Sequence, residues 1–313
     1  MKRALVLDGG GGKAVYTLGV LYELEQYLQL HCSEPRTIHD CFDFFFGTSS
    51  GAIICTAIAS GMHVKQVYSF YRETLAKVMY YSAISKVTPS VMAKRRSHAL
   101  SSQLKHVFHD YPFDYINKSL AIYCTDFVKR VPRVFHTDML LAGASELIFT
   151  PGFGATIVEG LLATSAAYPI FERVYVNGRT LQFEAVDGGY YANNPTLFAL
   201  NSIHKGYPHT TCKLLNIGVG SYIEPPVNQI LKKIDMYNLV DLVLESSTKS
   251  HNTLVEYLCN ESKEVLRVND EVPMTIDFFV HEELDLEGIF TYGRKSFLQH
   301  QEEIIDFLEI KIL

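Results

Sequence analysis

Three short segments carry residues that can do chemistry. Gly47-Thr48-Ser49-Ser50-Gly51 fits G-x-S-x-G, a pattern that needs a strand before it and a helix after it. Side chains at Gly47 and Gly51 would clash with that strand and helix, and Ser49 would project at the helix N-terminus, where free N–H groups favour developing negative charge. Gly9-Gly10-Gly11-Gly12-Lys13 also follows an apolar run and opens a helix. As a nucleotide loop it fits poorly. The dinucleotide pattern would put its last glycine at Ala14, the phosphate-loop pattern lacks its Lys-Ser/Thr pair, and no ribose-binding acid is evident about twenty residues on. As an oxyanion hole it fits better: the N–H groups of Gly10, Gly11 and Gly12, joined by that of Ser50, can face a tetrahedral intermediate. A glycine turn kept only for close packing is the plain alternative. Lys13 reads either as a cation near the site or as the first solvated residue of the helix. A serine hydroxyl is a weak nucleophile until a base takes its proton. Asp187-Gly188-Gly189 puts a carboxylate at a strand end with a backbone bend behind it, but D-G-G in isolation reads as an ordinary turn.

These segments need a frame. Ala4 to Leu7 is a continuous apolar run, the pattern of a strand buried on both faces. Ala14, Leu18, Leu21, Leu24 and Leu28 then recur at helical spacing, with Glu23, Glu25, Gln26 and Gln29 on the other side. The arrangement repeats as a strand over Phe42 to Phe46, a turn over Gly47 to Gly51 and a helix over Ala52 to Ser60 ended by Gly61. Further strands are predicted at Ser119 to Thr125, Val131 to His136 and Lys213 to Ile217, and Asn177-Gly178 signals a two-residue hairpin leading into Asp187. Alternating strands and helices predict an α/β layered fold with a mostly parallel sheet. Beyond about Pro226 the alternation fades. Ile230, Ile234 and Tyr237, and later Phe297, Ile304 and Leu308, give helical periodicity, so residues 221–313 are expected to form a helical cover packed on the domain of residues 3–220.

With 313 residues, 48% hydrophobic and 20% charged, the chain can bury a full core, and a net charge of −6 argues against nucleic-acid polymers as partners. The opening apolar run is stopped by Asp8, so no secretion signal is expected. The uncharged window from Phe44 to His63 approaches a bilayer span, but Gly47, Ser49, Ser50 and Gly51 break it. Six cysteines without paired spacing fit a reducing cytoplasm, and no metal or other cofactor is expected. Val78-Met79-Tyr80-Tyr81 and Lys94-Arg95-Arg96, with Lys105, could meet a lipid surface and its anionic headgroups, or could be a packed segment and a solvated face.

The glycine loop with its following cation, the G-x-S-x-G and the D-G-G, in this order, resemble the patatin-like phospholipases. Supporting stretches agree: Ile122-Tyr123-Cys124-Thr125-Asp126, Ala163-Thr164-Ser165-Ala166-Ala167-Tyr168-Pro169, and Asn193-Asn194-Pro195. The resemblance covers roughly Arg3 to Gly220. It implies a three-layer α/β/α fold and a Ser-Asp dyad in which Asp187 activates Ser49 with no histidine. Gly9, Lys13, Gly47, Gly51, Gly188 and Gly189 would support it. It implies membrane phospholipids as substrate, with release of a fatty acid and a lysolipid, by a cytoplasmic protein working at the membrane surface. Some bacterial members are antiviral effectors switched on by cyclic nucleotides, so an activator of that class is a further expectation. The chain departs from the family in carrying Lys13 where arginine is usual, which loses the planar fork of donors, and Ala14 where glycine is usual. Two other readings stay open. One is a Ser-His-Asp hydrolase using His204, His209, His251, His281 or His300; the other is a nucleotide-binding signalling module that cleaves nothing.

Overall fold

The computed structural model describes residues 1–79, 89–223, 236–259, 263–276 and 279–312. Strands β1 (Lys2–Leu7), β2 (Phe44–Thr48) and β3 (Ser119–Asp126) lie parallel, and β7 (Cys212–Ile217) and β9 (Val265–Val268) extend the sheet beyond β1. On the other side β4 (Val131–His136) and β6 (Gln182–Asp187) both pair antiparallel with β3, and β5 (Val174–Asn177) closes that edge. A short parallel pair, β8 (Ser221–Tyr222) and β10 (Glu271–Val272), stands apart.

The period-2 alternation of the strands divides the core in two. Leu5, Leu7 and Phe45 face one layer, where α1 (Val15–His31), α2 (Ile38–Cys41), α3 (Ser50–Ala59), α4 (Val64–Val78), α5 (Pro89–Phe108) and α7 (Ile157–Thr164) pack. Ala4, Val6, Phe44 and Phe46 face the other, covered by α6 (Met139–Ala142), α8 (Gly189–Ala192), α9 (Thr196–Gly206) and α10 (Met236–Cys259). The last helix, α11 (Glu283–Phe307), lies along α1 at a close crossing, where a methyl on Gly19 would come to 2.3 Å from the Phe290 carbonyl oxygen. The architecture is the predicted three-layer α/β/α sandwich with a mostly parallel sheet.

Four expectations need correction. Residues 221–313 are not simply a helical cover, because β9 is an edge strand of the main sheet; Val265-Leu266-Arg267-Val268 is too short and too interrupted by charge to announce itself. Asn177 pairs with Gln182, so the β5–β6 connection spans four residues, Gly178 to Leu181. The turn is widened because Thr180 N–H donates to the Phe153 carbonyl rather than across the hairpin. Glu25 is buried rather than on the polar side of α1: its carboxylate accepts from Ile38 N–H and Val64 N–H at 3.3 and 2.9 Å, satisfying the first turns of α2 and α4. Arg96 is also buried, stacked over the Phe279 ring, so the predicted basic surface reduces to Lys94, Arg95 and Lys105. Tyr80, Tyr81, Ile230 and Ile234 lie outside the described residues.

Candidate active site

The parallel strands end at one rim of the sheet, and the three chemistry-bearing segments meet there. Ser49 sits between β2 and α3 with φ 53° and ψ −123°, a conformation that L-residues rarely adopt. The turn is held because nothing larger than hydrogen fits beside it. A methyl on Gly47 would come to 2.7 Å from Ala52 N, and one on Gly51 to 2.5 Å from the Leu7 and Asp8 carbonyl oxygens. The Ser49 N–H donates to Thr164 Oγ1 at 2.9 Å, and that hydroxyl donates in turn to the Tyr123 carbonyl. Because the strain belongs to the backbone and not to the hydroxyl, Ser49→Gly will be more stable than Ser49→Ala by about 1 kcal/mol in urea unfolding. Equal midpoints would show that the turn carries no strain.

Asp187 ends β6 and is 1% exposed. Its Oδ1 accepts from Gly189 N–H at 2.7 Å, and its Oδ2 has no hydrogen-bond partner. Burial pushes the carboxyl up to about 7, with the Gly189 N–H and the Ser49 hydroxyl pulling the other way. The Ser49 hydroxyl is thus near enough to favour the carboxylate, although no closed hydrogen bond joins the two. Gly188 has to be glycine because a methyl there would come to 2.2 Å from the Tyr123 carbonyl oxygen.

The glycine loop stands against Ser49: a methyl on Gly9 would lie 3.2 Å from Ser49 Cβ. Its last three residues are not uniform. Gly11, with φ 55°, opens a 3₁₀ turn over Gly11–Ala14, and its carbonyl accepts from the buried Tyr71 hydroxyl at 2.9 Å. The N–H groups of Gly11, Gly12 and Ser50 meet no protein acceptor among the described residues. Gly10 differs from them, since its N–H donates to Ser50 Oγ at 2.9 Å. Lys13 lies on the far side of the loop, its Nζ 5.6 Å from the centre of the Tyr222 ring, and it does not line the cavity at Ser49.

That cavity is mostly apolar. Gly11, Ser49, Ser50 and Tyr71 form its polar end, and Ile53, Leu75, Val78, Met79, Leu100 and Phe171 its walls. No histidine lines it among the described residues. His204 faces Glu264, His251 bonds to Ser247, His281 to the Phe279 carbonyl and His300 to Asp270, while His209 is exposed.

Five residues outside the three short motifs hold the site. Thr164 anchors the nucleophile turn, and Tyr71 anchors Gly11. Asn193 ties the glycine loop to the segment after Asp187: Gly9 N–H donates to its carbonyl at 2.9 Å, and its side-chain amide donates back to the Gly9 carbonyl at 3.2 Å. Arg267 of β9 donates to buried Asp8 Oδ2 at 2.8 Å, and Asn216 to Oδ1 at 2.9 Å, fixing the end of β1 from which the loop springs. A lone arginine in an apolar run was the signal for Arg267.

A serine on a strained strand-to-helix turn, a buried carboxylate beside it and unpaired N–H groups around it define a serine hydrolase on a three-layer α/β scaffold. The patatin-like phospholipase family model matches residues 5–200. The cUMP-AMP-activated phospholipase of Escherichia coli is 35% identical over 98% of this chain and 93% of its own length. The cGAMP-activated phospholipase of E. coli strain TW11681 is 25% identical over 69% of this chain and 61% of its own. Among solved structures, human GIVD cytosolic phospholipase A2 superposes with a TM-score of 0.52 at 11% identity, over 99% of this chain and 60% of that one. The chain belongs to the patatin-like phospholipase family and is a lipid acyl hydrolase.

Proposed function

We propose that the chain is a phospholipase A-type enzyme in which Ser49 and Asp187 act as a dyad without histidine. The observation that carries this reading is the buried Asp187 carboxyl, raised to about 7 and with one oxygen left without a partner beside the Ser49 hydroxyl. A base with a pKa near the working pH combines a useful ionised fraction with enough basicity. Ser49 Oγ attacks the ester carbonyl carbon while its proton passes to Asp187 Oδ2, and the resulting oxyanion accepts from the N–H groups of Gly11, Gly12 and Ser50. Collapse breaks the ester C–O bond, and the Asp187 proton goes to the leaving lysolipid alkoxide, giving an acyl-enzyme. Water then adds to the acyl carbon, its proton passing to Asp187, and the fatty acid leaves as the proton returns to Ser49 Oγ. Lipid mass spectrometry of phospholipid vesicles treated with the protein tests the reaction: matched release of fatty acid and lysolipid is expected, and intact lipid overturns it.

The apolar cavity at Ser49 has the composition needed for the acyl chain. Leu75→Phe, which fills it, will lower kcat/KM for p-nitrophenyl laurate relative to the butyrate ester at least about fivefold, near 1 kcal/mol. An unchanged ratio would mean that the chain lies elsewhere.

No described helix is long and apolar enough to cross a membrane. Lys94, Arg95 and Lys105 are exposed on α5, whose Leu100 lines the cavity, and this couples a cationic face to the acyl site. Each such charge near an anionic surface is worth about 1 kcal/mol. Replacing all three by glutamate will abolish flotation with phosphatidylglycerol vesicles at low salt; undiminished binding would remove this face from the mechanism. The two E. coli relatives are named as cyclic-nucleotide-activated, which supports a cyclic dinucleotide activator and a membrane-degrading role in antiviral defence.

A further inference from the structure

Behind the glycine loop, on the side away from the acyl cavity, lies a second cleft with both polar and apolar lining. Gly9, Gly10 and Lys13 form one wall, Ser221, Tyr222 and Asn269 another, and α10 a third, with Leu244, Thr248, Asn252 and the mutually ion-paired Glu245 and Lys249. Its chemistry is that of a phosphodiester and base site. Lys13 faces it with no carboxylate partner among the described residues, Tyr222 offers a ring, and Ser221 Oγ and Asn269 Nδ2 have no protein partner among them. None of the steps from ester to fatty acid uses these groups.

The cleft is one residue away from the nucleophile. Gly9 lines it and also abuts Ser49, and Gly10 is wedged against Val219, where a methyl would come to 2.8 Å from either Val219 methyl. Asn193 joins the same wall to α10 by donating to both the Gly9 carbonyl and Thr248 Oγ1. In this structure the Gly10 N–H is held by Ser50 Oγ, so one of the four N–H groups expected to face an oxyanion is engaged inside the protein.

We infer that this cleft is the binding site for a cyclic dinucleotide, its phosphodiester at Lys13 and a base at Tyr222 and Asn269. Occupancy acts on hydrolysis through Gly9 and Gly10. Pressure on this wall re-aims the Gly10 peptide, releasing its N–H from Ser50 to the oxyanion, so the ligand raises kcat rather than lowering KM. The inference rests on the activator reading above, and adds where the ligand sits and what it moves.

Calorimetric titration of the full chain with 3′,3′-cyclic UMP-AMP and with cyclic GMP-AMP tests it, with sn-glycero-3-phosphoglycerol as a lipid-headgroup control of the same phosphodiester chemistry. Wild type and Ser49→Ala are expected to bind at least one dinucleotide. Lys13→Glu and Ser221→Trp are expected to lose at least about tenfold in affinity, the scale of one charge-assisted hydrogen bond, at an unchanged unliganded melting temperature, and Lys13→Arg to stay within about threefold. Binding by wild type and undiminished binding by both cleft variants would overturn the site and leave the activator reading standing. Failure of wild type to bind or respond to either dinucleotide would overturn that reading and the inference with it. Binding of the glycerophosphodiester alone would make the cleft a headgroup site, against the inference. Should the variants not fold, hydrogen exchange of wild type decides: dinucleotide-induced protection of residues 219–223 and 244–252 is expected, and protection confined to other segments overturns the assignment.

Discussion

Ser49→Ala will lower phospholipid hydrolysis by roughly 10⁶-fold, the loss seen when a nucleophile that works as one unit with its base is removed. It will also abolish covalent labelling by a fluorophosphonate probe, because no other serine among the described residues combines a strained turn, a buried carboxylate and unpaired N–H groups. Folding will be little affected: the turn's geometry is fixed by the close approaches at Gly47 and Gly51, which the substitution leaves in place. Labelling that persists in the alanine variant would take the nucleophile away from position 49. The same measurement separates hydrolysis from a purely nucleotide-binding role, since a module that only binds would never label.

Asp187→Asn has two expected effects of opposite sign. Activity falls roughly 10⁴-fold, because an amide cannot take the Ser49 proton, while stability at pH 8 rises. An unfolded aspartate titrates near 3.9, and the folded one is pushed to about 7 by burial. Between those values the folded state holds a proton that the unfolded state has released. The stabilising contribution of the protonated carboxyl is therefore complete below about pH 4 and is lost as pH rises through 7. Asparagine can keep the Gly189 contact without a buried charge, so the variant gains up to about 4 kcal/mol over wild type at pH 8 and nothing at pH 4. Chemical denaturation at the two pH values measures this, and a variant less stable than wild type at pH 8 would contradict a desolvated carboxylate. In wild type, kcat/KM for a soluble ester should rise with pH and level off above an apparent pKa near 7. A histidine base could imitate that profile, so the separating test is single replacement of His204, His209, His251, His281 and His300. All five variants should retain activity, and loss in one that still folds would replace the dyad by a triad.

The motif order made the glycine loop, Ser49 and Asp187 legible in the sequence, and the periodicity of their flanks made the α/β/α layering legible too. Local steric demands explain why. A strand-to-helix turn that admits no side chain has to be written in glycines, and strands buried on both faces have to be continuously apolar. The stretches that hold Thr164 and Asn193 were legible as part of the resemblance, but what they grip was not, and Arg267 was not legible at all, because each contact joins remote parts of the chain. Thr164 steadies Ser49 across 115 positions, Asn193 grips Gly9 across 184, and Arg267 neutralises Asp8 across 259. Glu25 shows the same limit from the other side: its helical position reads as solvent-facing, yet two helix N-termini brought over it by the tertiary fold make burial favourable.

The sequence alone therefore determined which side chains are available for chemistry, and that a serine, an aspartate and a row of backbone N–H groups would lie at strand ends. Only the tertiary structure decided that Asp187 is desolvated, with its carboxyl raised to about 7. Only it placed Lys13 in a cleft behind the loop rather than beside the serine, and tied the Gly10 N–H to Ser50. The reason is physical: pKa, access and hydrogen-bond occupancy depend on what the rest of the chain packs around a group, and packing is settled by contacts between segments far apart in sequence.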